Sequence, residues 1–171
     1  MTIASALNDV DLAAVGALVQ AIQTDPAAAQ TVWKAEVGWS RGFRTEARSR
    51  DFDPVVCDEP PGLGGTNTAP NPVEQILGAL GSCLAIGYAA NASVAGITIT
   101  DLRIELEGDL DLHTFLGLAE GNAGFSSIRA RVHLEADAEP AAIAALHHKV
   151  VSTSPVGHTI TRPVAVSVDL A

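Results

Sequence analysis

The segment PNPVEQILGALGSCLAIGYAA, residues 70–90, carries one cysteine, Cys83, inside an apolar run. A thiol in such a place has two uses. It fills a core as a small hydrophobe, or, as a thiolate beside a cation, it is placed to react. Asn71 reads as the cap of a helix, and Cys83 lies twelve residues beyond it. That is out of range of the positive helix end, which acts over about one turn. A reactive Cys83 must therefore take its cation from elsewhere. Arg44, Arg48 and Arg50 are the candidates, although the same arginines would serve equally to solvate a sheet face. Cys57 follows two valines before an acidic Pro-rich loop and reads as structural.

Other chemistry finds little support. His147 and His148 are adjacent, so on a helix they point about 100° apart and cannot share an ion. There is no CxxC or HxxxH pair, and no metal site is expected. GLGG at 62–65 is followed by no Lys-Ser/Thr, so it is not a phosphate loop. No G-x-S-x-G is present. Asn91-Ala92-Ser93 fits a glycosylation pattern but falls on a predicted helix.

The bulk properties narrow the class. Ten basic residues stand against twenty acidic ones, a net charge of −10. Nucleic acids and anionic membranes are excluded as expected partners, because both need clustered Lys and Arg. The apolar run is interrupted by Gly, Ser and Asn and is not expected to cross a bilayer. MTIASALNDVD shows no basic region followed by an apolar run, so the protein is placed in a reducing cytosol, where a Cys57–Cys83 disulfide is not expected. The 171 residues suit one domain that needs no staple.

The elements that must position Cys83 follow from periodicity. Residues 8–24 have helical spacing, with Asn8 or Asp9 as N-cap, and Asp25-Pro26 ends the helix or starts a second short turn. Trp33, Ala35, Val37 and Trp39 alternate as a half-buried strand. A tight turn at Ser40–Gly42 leads into a returning strand that begins at Phe43, and residues 54–58 add a third. DEPPGLGGTNTAPNP, 58–72, is a surface loop. Asn71, Pro72 and Glu74 then form a capping box with proline at the first helical position. The helix is apolar nearly all round and belongs at the centre of something. Gly96 closes it. Two long strands follow, 102–107 and 128–135, with an acidic face on one and a basic face on the other. A loop covers 109–125 and a helix about 140–152 stops at TSPVG. Val164, Val166, Val168 and Leu170 make a last strand. The fold class is α+β with antiparallel strands.

These residues carry a resemblance. TNTAPNPVEQILGALGSC, followed by two long strands, a helix, SPV and a final strand, resembles the OsmC/Ohr superfamily from about Val32 to Leu170. The resemblance implies an OsmC-like domain over 31–171, after an N-terminal helical extension over 1–30. It also implies an intertwined homodimer with its sites beside the central helices. The better-known members are thiol peroxidases for organic hydroperoxides, with an oxidised cysteine on the central helix and a second cysteine that resolves it. An Arg and a Glu activate the first thiol. Carried over, the peroxidatic position is Cys83, the resolving position is Ser154, the Glu position is Val73, and the Arg corresponds to Arg44. Glu74 stands one residue past the Glu position and is already used in capping.

Two functions remain from this reading. One is a one-cysteine peroxidase with Cys83 as nucleophile, Arg44 as its partner, an external thiol as resolver and no cofactor. The other is a non-catalytic protein that binds a small hydrophobic ligand at the dimer interface.

Overall fold

The computed structural model describes residues 6–170. The chain falls into two compact units, one formed by Ala13–Ile76 and the other by the residues up to Leu12 together with those from Leu77 onward.

In the first unit, α1 (Leu12–Thr24) is followed by a 3-10 turn, Pro26–Ala29. Asp25 caps that turn by accepting from the Ala27 amide at 3.0 Å. The apolar stripe of α1 is exposed, Leu18 and Val19 included. Three antiparallel strands, β1 (Glu36–Arg41), β2 (Arg44–Arg48) and β3 (Val55–Cys57), form a sheet in that order. The hairpin turn is Gly42-Phe43, so Phe43 is not a strand residue as the alternation suggested. Gly42 sits at φ +55°, where a side chain would be strained, and its carbonyl accepts from the Trp39 indole at 2.8 Å. All of β1 is exposed, against the half-buried strand expected, because among the described residues nothing covers Val37 or Trp39. Cys57 is buried at the end of β3.

The Pro/Gly loop is tied by one buried carboxylate. Asp58 accepts from the amides of Glu59 (2.8 Å) and Thr68 (3.0 Å), and from the hydroxyls of Thr66 and Thr68. Those bonds hold its carboxyl far below the usual range, the Thr66 hydroxyl contributing most, with burial acting in the opposite direction.

The loop delivers the chain to α2 (Pro72–Ala95), which the capping box starts as expected. Asn71 Oδ1 accepts from the Glu74 amide at 2.9 Å, and Glu74 accepts from the Asn71 amide at 2.8 Å. Gly96, at φ +72°, ends the helix. With mean hydropathy 1.4, α2 is long and apolar enough to cross a membrane by length and composition alone. Its Gly, Ser and Asn do not lower it below that threshold, contrary to the expectation from sequence. Only Leu84, Tyr88, Ala92 and Ser93 are buried on it within one chain.

In the second unit, β4 (Ile99–Asp109) and β5 (Ser127–Ala136) form an antiparallel pair, joined through a loop that contains a short helix, α3 (Leu112–Phe115). The opposed charged faces pair as expected: Glu105 faces Arg131 and Glu107 faces Arg129. Arg129 donates to Glu107 at 2.7 Å and to Asp109 at 2.8 Å. Glu105 is held down at about 2, first by Arg103 and then by His133.

The last helices are α4 (Pro140–Thr153) and α5 (Pro155–Thr161). Leu84, Tyr88 and Ala92 of α2 form the core with Ile97, Leu146 and Val150, and Leu102, Ile104, Val132 and Leu134 pack against them. Gly87 lets α2 approach α4, since a Cβ there would stand 3.0 Å from Val150 Cγ1.

Two further expectations fail and one is incomplete. Asn8 does not cap α1. It takes φ +53°, donates to Ser93 Oγ and the Ile97 carbonyl at 3.0 Å, and accepts from the Ile99 amide at 2.9 Å. Second, α4 stops at TSPVG as expected, but Ser154 there also caps the start of α5, which the pattern does not show. Third, residues 163–170 belong to no strand: no ladder among the described residues receives them, and Val166 and Val168 are 81% and 91% exposed.

Candidate functional site

Cys83 stands on α2 one residue before the buried Leu84 and is itself half-buried. Helical spacing turns its sulfur toward the junction of α4 and α5. Ser154 occupies that junction because its side chain caps α5, accepting from the Gly157 amide at 3.1 Å, while its carbonyl accepts from the His158 amide at 2.9 Å. Pro155 then fits the first helical position. This double anchoring holds the buried Ser154 Oγ 3.2 Å from Cys83 Sγ.

The hydroxyl has one proton and already accepts from Gly157. When Cys83 is ionised, the sulfur can only accept, so Ser154 must be the donor. A hydrogen bond to a charged acceptor contributes about 1.5–3 kcal/mol. The arrangement can stabilise a thiolate, but Ser154 cannot form a disulfide with it.

One turn and a half further along α2, the buried Tyr88 hydroxyl bonds His147 Nδ1 of α4, and the two rings stack with centroids 6.2 Å apart. Burial pushes the Tyr88 phenol upward. Sequence reading weighed His147 only as a metal ligand. The one signal for its role was Tyr88, the only tyrosine of the chain.

A cavity of about 390 Å³ opens beside this pair, between α2, β5, α4 and α5, with Ser154 and His158 also on its wall.

Cys83 and Ser154 are thus brought together within one unit. Arg44, half-buried at the start of β2 opposite Arg41, and Val73, half-buried in the first turn of α2, lie in the other. Among the described residues no group of His, Cys, Asp and Glu is placed to hold a metal ion.

The model of a family described as OsmC-like protein matches residues 65–169. The chain belongs to that family. The match takes in α2 with Cys83, the β4–β5 pair, and Ser154. No curated protein matches the sequence. Among solved structures, an OsmC-like protein from Mycoplasma pneumoniae superposes with TM-score 0.66 at 16% identity, over 77% of this chain and 89% of that one. An organic hydroperoxide resistance protein OsmC from Legionella pneumophila, also described as a predicted redox protein, gives 0.58 at 19%, over 77% and 91%. An organic hydroperoxide resistance protein from Elizabethkingia anophelis gives 0.55 at 16%, over 75% and 89%. At these identities the OsmC-like fold is what the three share with this chain.

Proposed function

We propose that this OsmC-like protein reduces organic hydroperoxides through one cysteine, Cys83, and takes its second thiol from outside. The observation that carries the reading is the contact of 3.2 Å between Cys83 Sγ and Ser154 Oγ. A hydroxyl stands where the resemblance puts a resolving sulfur, and it is oriented to serve the first sulfur instead. The Legionella and Elizabethkingia relatives, described as hydroperoxide resistance proteins, support the choice of substrate.

The Cys83 thiolate attacks the terminal peroxide oxygen. The O–O bond breaks, the alkoxide leaves as an alcohol after taking a proton, and Cys83 becomes a sulfenic acid. An external thiol condenses with it, releasing water and leaving a mixed disulfide. A second thiol frees Cys83 and carries away the disulfide. Arg44 is the cation the resemblance assigns to the thiolate, and Arg44→Ala is expected to slow the first step.

Treating the protein with cumene hydroperoxide and mapping it by mass spectrometry tests this. The expected product is Cys83 sulfenic acid, progressing to the sulfinic form without thiol and capped when thiol is present. An unmodified Cys83 would sink the proposal and favour the ligand-binding reading. A Cys57–Cys83 disulfide would overturn the need for an external thiol.

The same reading makes the protein a cytosolic homodimer. Trp39 (72% exposed), Ile86 (70%) and Val94 (71%) support the dimer, since one chain leaves them in water. An obligate interface of this kind buries about 2,000 Å² or more. Light scattering at micromolar concentration is expected to give twice the mass of the chain, and a stable monomer refutes it.

A further inference from the structure

We propose that His158 is the base that takes the proton from Cys83, and that the Ser154 hydroxyl carries it there. This deepens the one-cysteine reading, which needs a thiolate but names no group to receive the proton. Arg44 cannot receive it, because a guanidinium is always charged and has no acceptor. Val73, at the position the resemblance gives to a Glu, has no ionisable group.

The hydroxyl inventory is the first argument. A serine hydroxyl has one proton and two acceptor sites. At Ser154 one acceptor site is filled by the Gly157 amide at 3.1 Å. Cys83 Sγ stands 3.2 Å away, and in the thiol state its S–H fills the second. The Ser154 proton is then free to point elsewhere. Ser154 is buried, yet it also stands on the wall of the cavity between α2, β5, α4 and α5, so the way out for that proton leads into the cavity.

Position is the second. His158 lies one turn past Ser154 on α5, its amide donating to the Ser154 carbonyl at 2.9 Å. Residues four apart share a helix face, and both of these line the same cavity. Among the described residues no side-chain hydrogen bond or ion pair engages the His158 ring, so a ring nitrogen is open to accept. The cavity, about 390 Å³, has room for a water between hydroxyl and ring, and Ser154, His158 and Thr161 give that water its polar partners.

Isolation is the third. α2 lends the cavity Leu80 and Leu84, and β5 lends it Ile128, Ala130 and Val132. Alternation puts Arg129, Arg131 and His133 on the other face of β5, where Arg129 and His133 engage Glu107 and Glu105. Among the lining residues the one other titratable side chain is His147 of α4, whose Nδ1 is engaged by the Tyr88 hydroxyl. No carboxylate among them competes for the proton.

In the step, the S–H bond of Cys83 breaks as an O–H bond forms at Ser154. The original Ser154 O–H bond breaks as an N–H bond forms on His158, directly or through one water. No electrons are exchanged, and a neutral pair becomes a thiolate and an imidazolium. The proton that Ser154 gains lies between oxygen and sulfur, so the hydroxyl is left donating to the thiolate it has made.

Alkylation of Cys83 by iodoacetamide, a neutral reagent that involves no peroxide, tests this apart from the reading it rests on. The rate in the full-length protein is followed by mass spectrometry of the Cys83 peptide across about pH 5 to 10, a span that covers imidazole and thiol titration in general. The parent is expected to react already in the acid half of that range, on a plateau carried by the thiolate–imidazolium pair. His158→Gln should lose the plateau and react roughly tenfold more slowly at about pH 7, the effect of removing one charged hydrogen-bonding partner. It should converge with the parent at about pH 10, where hydroxide takes the proton without a relay. A merely structural disturbance would lower the rate at every pH. Ser154→Ala, which removes relay and donor together, should lose at least as much, and adding His158→Gln to it should cost nothing further. Ser154→Thr, which restores the hydroxyl, should restore the plateau. Circular dichroism matching the parent qualifies each variant. Superimposable profiles for parent and His158→Gln, a loss that persists at about pH 10, or a further loss in the double variant overturns the proposal. So does a parent Cys83 that takes no label at any pH. A His158-dependent profile in a protein that ignores hydroperoxides would leave the relay standing and remove the peroxidase.

Discussion

Ser154→Cys is expected to give a protein that closes a disulfide between positions 83 and 154 with each oxidising equivalent. Oxygen and sulfur are 3.2 Å apart, with both side chains fixed, one by its helix and the other as a cap. A disulfide needs an S–S distance of about 2.05 Å. The C–S bond is longer than the C–O bond it replaces, so the introduced sulfur begins nearer the target than the oxygen does. Hydroperoxide would oxidise Cys83 to the sulfenic acid, and the introduced thiol would condense with it and release water. The product is 2 Da lighter than the reduced variant, with one peptide link between the two positions after digestion. It should also be more stable. The bridge closes a chain separation of 71 residues, which in the chain-entropy account is worth about 4 kcal/mol. The midpoint of unfolding in guanidinium should therefore rise on oxidation and fall back with a reductant. A variant that folds and oxidises at Cys83 but forms no link would show that the junction cannot bring the two positions within bridging distance.

That prediction depends on two residues that sequence alone could pair. Cys83 and Ser154 came from a motif and its spacing. The structure adds why Ser154 is suited to its place: the residue that ends α4 must also cap α5, so its side chain is fixed before any sulfur is considered. The Tyr88–His147 bond could not be read in this way. The two residues are 59 positions apart and meet only because Gly87 lets the helices come close. No local pattern encodes such a pair. The cavity is likewise a product of packing four elements, each of which shows an ordinary apolar face in sequence.

The fold divides along the same line. Features set by neighbours in sequence were legible. The capping box of α2 involves four consecutive residues, and the charged faces of β4 and β5 follow from simple alternation. Where the partner lies far away, sound local chemistry gave the wrong assignment. Asn8 suits a cap because a short amide side chain satisfies free backbone groups. It does satisfy them, but at Ile97 and Ile99 rather than in α1. Residues 164–170 alternate as a strand should, yet alternation specifies a face and not a neighbour. Without a strand beside them they stay exposed. The missing information in that case is the identity of a partner strand, which no single-chain pattern contains.

The loop before α2 offers the other large effect, at Gly65. A Cβ built there would stand 1.8 Å from the Glu59 carbonyl oxygen, which is backbone and cannot swing aside. Gly65→Ala must therefore open the turn that brings Thr66 and Thr68 onto Asp58. Opening it leaves a buried carboxylate without its donors. The expected cost is about 3 kcal/mol or more, at the upper end for a single substitution, and chemical denaturation would measure it. Gly62 makes the control: the same substitution there meets nothing within 4 Å and should change little. Asp58→Asn tests the same knot through pH. A carboxylate whose folded pKa lies below its unfolded value, about 3.9, stabilises the fold above that value and loses the contribution as pH falls below it. Asp58 is such a group, held down first by the Thr66 hydroxyl. Asparagine has one acceptor where the carboxylate has two, and its amide hydrogens would face the donors that Asp58 accepts. The variant should be less stable than the parent at pH 7, and its stability should fall less steeply between about pH 4 and pH 2. Glu105, Asp109 and Asp111 are lowered too and contribute to that slope in both proteins, so the difference between parent and variant isolates Asp58. Equal slopes in the two would mean that the knot does not hold Asp58 ionised, and an undiminished Gly65→Ala protein would mean that the turn is not needed to present Thr66 and Thr68.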